Sequence, residues 1–222
     1  MKSWKEMWED VENSEAPPSV PGKLRASKAP KYAYCTEFEQ TGPSNVFAVR
    51  GNVLHDCMEL EDVPFDIPPE EEQQIQIAKE ALDSFLEEGW EVVGREVFLE
   101  TNLTTCNADI ILKRDDEYCY IDWKFGMAPV DSDSPQMAVG ADAVYQHYAA
   151  SKVMTAIIQP SMIESTGSLA IKNWTREEAF SVVEDCIKEK VGASKNCQYC
   201  DKSGDCPFVF EKGTNILSLI HI

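Results

Sequence analysis

The stretch Asn107 to Gly126, NADIILKRDDEYCYIDWKFG, carries two aspartates and a lysine whose types and spacing suit phosphodiester chemistry. Two carboxylates can ligate Mg²⁺ or Mn²⁺, hard cations that prefer oxygen, and a metal held there polarises a phosphodiester and lowers the pKa of a bound water. An ammonium beside it can orient that water or stabilise charge developing on the phosphoryl oxygens. Whether Asp109, Asp122 and Lys124 converge depends on the elements that carry them. Ile110, Ile111 and Leu112 give way to the polar cluster Lys113 to Glu117, and the β-rich run Tyr118 to Trp123 follows, which predicts a hairpin. Side chains alternate along a strand, so Tyr120, Asp122 and Lys124 share one face and Cys119, Ile121 and Trp123 the other. Antiparallel pairing across the Arg114 to Glu117 turn brings Asp109 level with Asp122. The plain alternative is a strand-end Asp109 and a half-exposed Asp122–Lys124 ion pair.

Around this hairpin the chain alternates helices and strands. Trp4, Met7, Trp8 and Val11 recur at helical spacing before the breaker run Ala16 to Gly22, an N-terminal arm docking on the body. Val53 to Glu61 reads as a short helix after Gly51, with His55 and Glu59 on one face and Leu54, Cys57 and Met58 near the other. Pro69 to Glu88 is amphipathic, with Ile75, Ala78, Leu82, Phe85 and Leu86 on one side and acids at its N-terminal end, where the helix dipole favours them. Trp90 to Glu100 reads as a strand whose Glu96 either reaches the site as a third carboxylate or stays an ordinary surface acid. A helix from Ser134 or Pro135 carries Gln136, the stripe Met137, Ala141, Val144 and Tyr148, and Gln146. Lys152 to Gln159 and Ser168 to Ile171 read as strands, and Thr175 with Glu178 forms a capping box opening a helix to about Val191. This order predicts a mixed sheet flanked by helices.

Near the end, CQYCDKSGDCPF sets Cys197, Cys200 and Cys206 in a C-x2-C-x5-C spacing. A C-x-x-C turn aims two thiolates at one centre, and the third joins through a short loop. A tetrathiolate needs a fourth ligand from Cys35, Cys57, Cys106 or Cys119, since Cys186 falls on a helix. Zinc and a [4Fe-4S] cluster both accept four thiolates, and spacing does not choose between them.

At 222 residues and 43% hydrophobic content, the chain is long enough for one sizeable core. Without an apolar run near the roughly 18 to 20 residues of a membrane span, or the apolar core of a signal peptide in MKSWKEMWEDVENSE, the expectation is a cytoplasmic protein that does not enter membranes. Eight cysteines then point to metal ligation and buried thiols rather than disulfides. The net charge of -19 weighs against a protein that coats nucleic acid nonspecifically, while Lys23, Arg25, Lys28 and Lys31 form a single early basic strip.

Taken together, Tyr34-Cys35, Gly51 to His55 as G-x-x-x-H, the A-D-I-x-L and I-D-W-K-F-G hairpin, and the terminal C-x2-C-x5-C-P resemble, in order, the PD-(D/E)xK nuclease superfamily. The likeness is greatest to RecB-type exonucleases with an iron-sulfur cluster: CRISPR-associated adaptation nucleases, the AddB nuclease domain and phage-encoded relatives, which show segments similar to SPQMAVGADAVYQ and AIIQPSM. The resemblance covers roughly residues 26 to 210. It implies a restriction-endonuclease-like fold with an arm (1–25), a nuclease domain (26–212) that includes the cysteine region 197–206, and a tail (213–222). It further implies that His55, Asp109 and Asp122 bind Mg²⁺ or Mn²⁺, that Lys124 assists the hydrolytic water, that Gln136 lies in the substrate groove, and that Cys35, Cys197, Cys200 and Cys206 hold a [4Fe-4S] cluster, zinc being the alternative. The cluster would clamp the N- and C-terminal segments together. The implied activity is a metal-dependent DNA exonuclease of phage or prokaryotic DNA recombination, with DNA and a phage recombinase or CRISPR adaptation proteins as partners. A rival reading is a nuclease fold kept for DNA binding or assembly without turnover. Two departures stand out: Gly140 replaces the tyrosine of the relatives' Q-x-x-x-Y, and the net charge is acidic. The last residues, LSLIHI, resemble translated adapter sequence, which predicts a non-native terminus and leaves His221 without a role.

Overall fold

The sheet of this protein is built around one long strand. The computed structural model describes residues 2–14, 20–40, 46–61, 63–163 and 167–206. Its elements are helix α1 (Trp4–Glu12), strand β1 (Leu24–Arg25), helices α2 (Ala29–Tyr32), α3 (Val46–Glu59) and α4 (Pro69–Glu87), strands β2 (Glu91–Glu100), β3 (Thr104–Arg114) and β4 (Glu117–Trp123), helix α5 (Pro135–His147), strands β5 (Lys152–Ile158) and β6 (Leu169–Trp174), and helix α6 (Arg176–Ile187). The sequence expectations for 208–222, including the tail and His221, lie outside the described residues, as does Pro207 of the terminal cysteine motif.

β3 is antiparallel to β2 along one edge. Its other edge is divided: β4 pairs antiparallel with 110–114 and β1 pairs parallel with 104–105. β5 continues the sheet parallel to β4, and β6 closes it antiparallel to β5. The sheet is therefore mixed and six-stranded, as the alternation of helices and strands predicts. The two-residue turn at Asp115 and Asp116 forms with Asp115 at φ 55, a conformation Asp tolerates better than most residues. The hairpin pairs Ile110 with Ile121, which sets Asp109 and Asp122 level.

Each sheet face carries its own core. Ile110, Leu112, Cys119, Ile121 and Trp123 pack against α1, α3 and α4, whereas Ile111, Tyr118, Tyr120, Val153 and Ile157 pack against α5 and α6. Each fully buried Ile or Leu there contributes about 1.5–3 kcal/mol. Strict alternation would put Ala108 and Ile110 on one face, yet they lie in opposite cores, so the pleat slips at Asp109.

Three helices differ from expectation. α3 starts before Gly51 and runs through it, because burial of Val49, Val53, Leu54, Cys57 and Met58 outweighs the roughly 1 kcal/mol cost of an interior glycine. α5 is buried all round from Met137 to Tyr145 instead of along one stripe, since it lies between the sheet and α6. Its small residues permit that approach: a Cβ at Gly140 would lie 2.8 Å from the Tyr120 ring. α6 opens with the expected Thr175–Glu178 capping box but ends at Ile187.

Candidate functional site

The site lies where β1 and β4 part company on the edge of β3. Within that gap Trp123 donates its backbone N–H to Asp109 Oδ2 at 2.5 Å, and nearby Tyr120 donates its hydroxyl to the Asn107 carbonyl at 3.0 Å. Asp122, 4% exposed, accepts from Gln136 Nε2 at 2.7 Å, while Lys124 Nζ stands 2.7 Å from its Oδ2. That second contact is an ion pair without hydrogen-bond alignment, which leaves Oδ2 buried with no hydrogen bond. His55 projects from α3, its Nδ1 3.6 Å from Asp109 Oδ2 and its ring edge-on to Phe125 at 5.5 Å. The structure thus sets His55 beside Asp109 and gathers Lys124 and Gln136 on Asp122, with Asp122 outside the His55, Glu96 and Asp109 group whose ligand atoms converge. Gln146 instead donates to Asp142, one turn earlier on α5. Gly140 carries no side chain because the Tyr120 ring occupies that space.

Two contributors are not fixed by any motif. Glu96 lies directly across the β2–β3 pair from Asp109, between the Arg95–Ile110 and Val97–Ala108 pairs, and its backbone is left-handed at φ 47. Its carboxylate, His55 and Asp109 each offer a ligand atom within 4.8 Å of the others. Arg50, one turn before His55 on α3, forks onto Glu71 of α4, with Nε 2.7 Å from Oε1, and donates to the Phe125 carbonyl at 2.8 Å. The role of Arg50 depends on partners far along the chain.

The electrostatics favour a cation. Burial pushes the His55 imidazole down to about 4, so it is neutral at pH 7, and its contact with Asp109 is not an ion pair. Burial and the Asp122 charge hold Asp109 well above the usual carboxylate range. Burial pushes Glu96 up to about 7, with help from Glu59, Asp56 and Asp122. Burial alone would lower Lys124, but the carboxylate of Asp122 outweighs it and raises the ammonium's pKa. A neutral imidazole and crowded carboxylates fit a divalent metal. The mixed nitrogen and oxygen donors suit Mn²⁺ at least as well as Mg²⁺.

His55, Glu96 and Asp109 line a cleft of about 590 Å³ together with Asp10, Ser14, Arg25 and Asn52, whereas Asp122, Lys124 and Gln136 are not among its lining residues. The basic strip does not form one surface: Lys23 pairs with Glu100, Arg25 enters this cleft, and Lys31 reaches Gln40.

A left-handed glutamate in a strand costs about 1–2 kcal/mol that glycine does not. Glu96→Gly is therefore expected to raise the melting temperature of the metal-free protein by about 2–4 °C, while Mn²⁺ affinity measured by calorimetry falls about 10- to 100-fold. Glu96→Gln keeps the strain and should lose affinity alone. Unchanged Mn²⁺ binding in both variants would remove Glu96 from the site.

A second cavity, of about 390 Å³, is lined by Cys35 from the segment after α2 and by Cys197, Cys200 and Cys206. All four are free, half-buried thiols. The backbones around them are tied by Thr36 N–H to the Lys190 carbonyl and Asp201 N–H to the Glu39 carbonyl, both at 2.9 Å, and Ser194 donates its N–H to Cys197 Sγ at 3.3 Å. Cys57, Cys106, Cys119 and Cys186 are buried in the two cores.

No protein-family model and no curated protein matches the chain. Among solved structures, it is similar to the crystal structure of SSO0001, at 16% identity over 92% of this chain and 94% of that one, with a TM-score of 0.38. It is also similar to a phage-related exonuclease from Haemophilus somnus 129PT, at 11% identity over 74% of this chain and 89% of that one, with a TM-score of 0.35. Likenesses of this size assign no role to any residue of this chain.

Proposed function

We propose that this protein is a metal-dependent DNA exonuclease of the PD-(D/E)xK type, with His55, Asp109 and Asp122, joined by Glu96, holding Mn²⁺ or Mg²⁺. The observation that carries the reading is the convergence of Lys124 and Gln136 on buried Asp122 beside the His55, Glu96 and Asp109 group. A divalent ion bound there supplies a polarised phosphodiester and a water of lowered pKa. The chain's own groups do the rest. Lys124, charged at neutral pH, presents its ammonium toward the charge that develops on the phosphoryl oxygens. Gln136 fixes one oxygen of Asp122 so that the other keeps its orientation, and the Trp123 N–H does the same for Asp109. His55 stays neutral and so remains a ligand at physiological pH.

Cys35, Cys197, Cys200 and Cys206 are proposed to hold a [4Fe-4S] cluster. The four thiols around one cavity support a tetrathiolate centre, and zinc is the alternative occupant. DNA is the proposed substrate, and phage or prokaryotic recombination or CRISPR adaptation the proposed setting. Among the described residues no helix is long and apolar enough to cross a membrane.

The test is digestion of end-labelled single- and double-stranded DNA by anaerobically purified protein with Mn²⁺, Mg²⁺ or EDTA. Loss of label with either metal and none with EDTA is expected. A folded, metal-binding protein that leaves both substrates intact would favour the reading as a DNA-binding or assembly factor.

A further inference from the structure

The segment that follows β4 makes three hydrogen bonds with one buried amide, beside single bonds from Arg50 to the Phe125 carbonyl and from Ser161 to the Gly126 carbonyl. Lys124 donates its backbone N–H to the Ile158 carbonyl at 2.9 Å, the last bond between the β4 and β5 chains. Beyond it the chain leaves the sheet, and Gln159, 4% exposed, takes over. Its Nε2 donates to the Gly126 carbonyl at 2.7 Å and to the Ala128 carbonyl at 2.8 Å, and its Oε1 accepts from the Val130 N–H at 3.2 Å. Ser161 Oγ adds a second donor to Gly126 at 2.7 Å. The captured segment begins with Lys124, the partner of Asp122, and continues with Phe125, whose buried ring meets His55. Two donors and one acceptor on one planar group are what these three backbone groups need, and among side chains of this length only glutamine supplies them. A residue with a purely scaffolding role would be served by an apolar side chain packed into the same core. Instead a polar group is buried, and its three bonds all go to the stretch that carries Lys124 and Phe125.

We propose that Gln159 is a positioning residue for the nuclease chemistry: it locks 124–130 so that the Lys124 ammonium stays on Asp122 and Phe125 stays against His55. The inference rests on the nuclease reading for its kinetic consequence and on backbone geometry for its structural one, and the two are measured separately. Steady-state DNA cleavage and amide hydrogen exchange of 124–130 are compared for wild type, Gln159→Leu and Gln159→Glu at pH 6 and pH 8, with melting temperature and Mn²⁺ affinity as controls. In Gln159→Leu, exchange of the Lys124 and Val130 amides, the bonded N–H groups of 124–130, is expected to rise at least about 10-fold while the β3 and β5 amides stay protected, and kcat to fall about 100-fold, as for a catalytic group displaced by about 1 Å, with KM and Mn²⁺ affinity within twofold. Gln159→Glu distinguishes positioning from bulk. Its neutral carboxyl keeps one donor, whereas its ionised form faces two carbonyl oxygens with none. Its kcat relative to wild type should therefore be higher at pH 6 than at pH 8. Wild-type exchange across 124–130 in folded Gln159→Leu overturns the proposal, and so does a kcat loss matched by an equal loss of Mn²⁺ affinity. If wild type itself cleaves no DNA, the nuclease reading fails and the exchange measurement alone decides whether Gln159 holds the segment.

Discussion

Lys124→Ala is expected to bind Mn²⁺ yet cleave end-labelled DNA at least about 10²- to 10³-fold more slowly than wild type, the loss typical when one charge-stabilising donor is removed from a reaction centre. The size of the effect follows from where the ammonium sits. Its Nζ is 2.7 Å from a carboxylate oxygen that is otherwise without a hydrogen bond, and the pair is shielded, with the lysine side chain 25% and the aspartate side chain 5% exposed. The same substitution leaves Asp109, Asp122 and Glu96 with less cationic compensation, so the metal-free variant should melt lower. The decrease stays below the about 3–5 kcal/mol of a fully buried broken pair, because the lysine is partly solvated. Saturating Mn²⁺ should recover part of that stability through mass action without recovering cleavage. Lys124→Arg should not rescue, since a planar guanidinium cannot occupy the volume of a compact ammonium seated on one oxygen. Cleavage within threefold of wild type in Lys124→Ala would reduce the lysine to an ion-pair partner.

The hairpin that carries this chemistry was legible because its signals are local: alternation fixes the faces, and a short polar turn fixes the register. Asp109, Asp122 and Lys124 follow from those two facts. Gln136 was legible only through the resemblance, as the glutamine of the relatives' Q-x-x-x-Y, and in the structure it donates to Asp122. Glu96 was not separable from an ordinary strand acid. Its carboxylate reaches His55 and Asp109 through a left-handed backbone and a slip in the pleat, and neither leaves a mark on composition or periodicity. Arg50 and Gln159 escaped for a related reason: each acts on backbone groups more than thirty residues away or across the sheet, and a glutamine before a proline reads as the end of a strand. The continuous α3 shows the opposite error. Gly51 suggested a boundary, and tertiary burial on both sides of it carried the helix through.

Serine at Cys197 or Cys200 should abolish visible absorbance and iron content in anaerobically purified protein and lower its melting temperature sharply, and Cys35→Ser and Cys206→Ser should do the same. Little else ties these segments together. The Cys35 to Gln40 stretch and the Cys197 to Cys206 stretch share a few backbone bonds, and the exposed ion pairs of Lys202 with Glu37 and Glu39 contribute at most about 1 kcal/mol each. Phe38 is the large apolar side chain buried beside the cavity. A centre that joins Cys35 to Cys197 closes a loop of well over 100 residues, which by the chain-entropy argument for a covalent cross-link restrains the unfolded chain by about 5 kcal/mol. The controls are the cysteines buried in the cores. Cys57→Ala, Cys106→Ala, Cys119→Ala and Cys186→Ala remove an apolar thiol and should each cost about 1 kcal/mol while keeping colour and iron. A colourless wild-type protein with one equivalent of zinc would assign the four thiolates to zinc instead. Stripping the catalytic metal with EDTA should stop cleavage and leave the visible spectrum unchanged, because the thiolates and the His55, Glu96 and Asp109 group line different cavities on different segments of the chain.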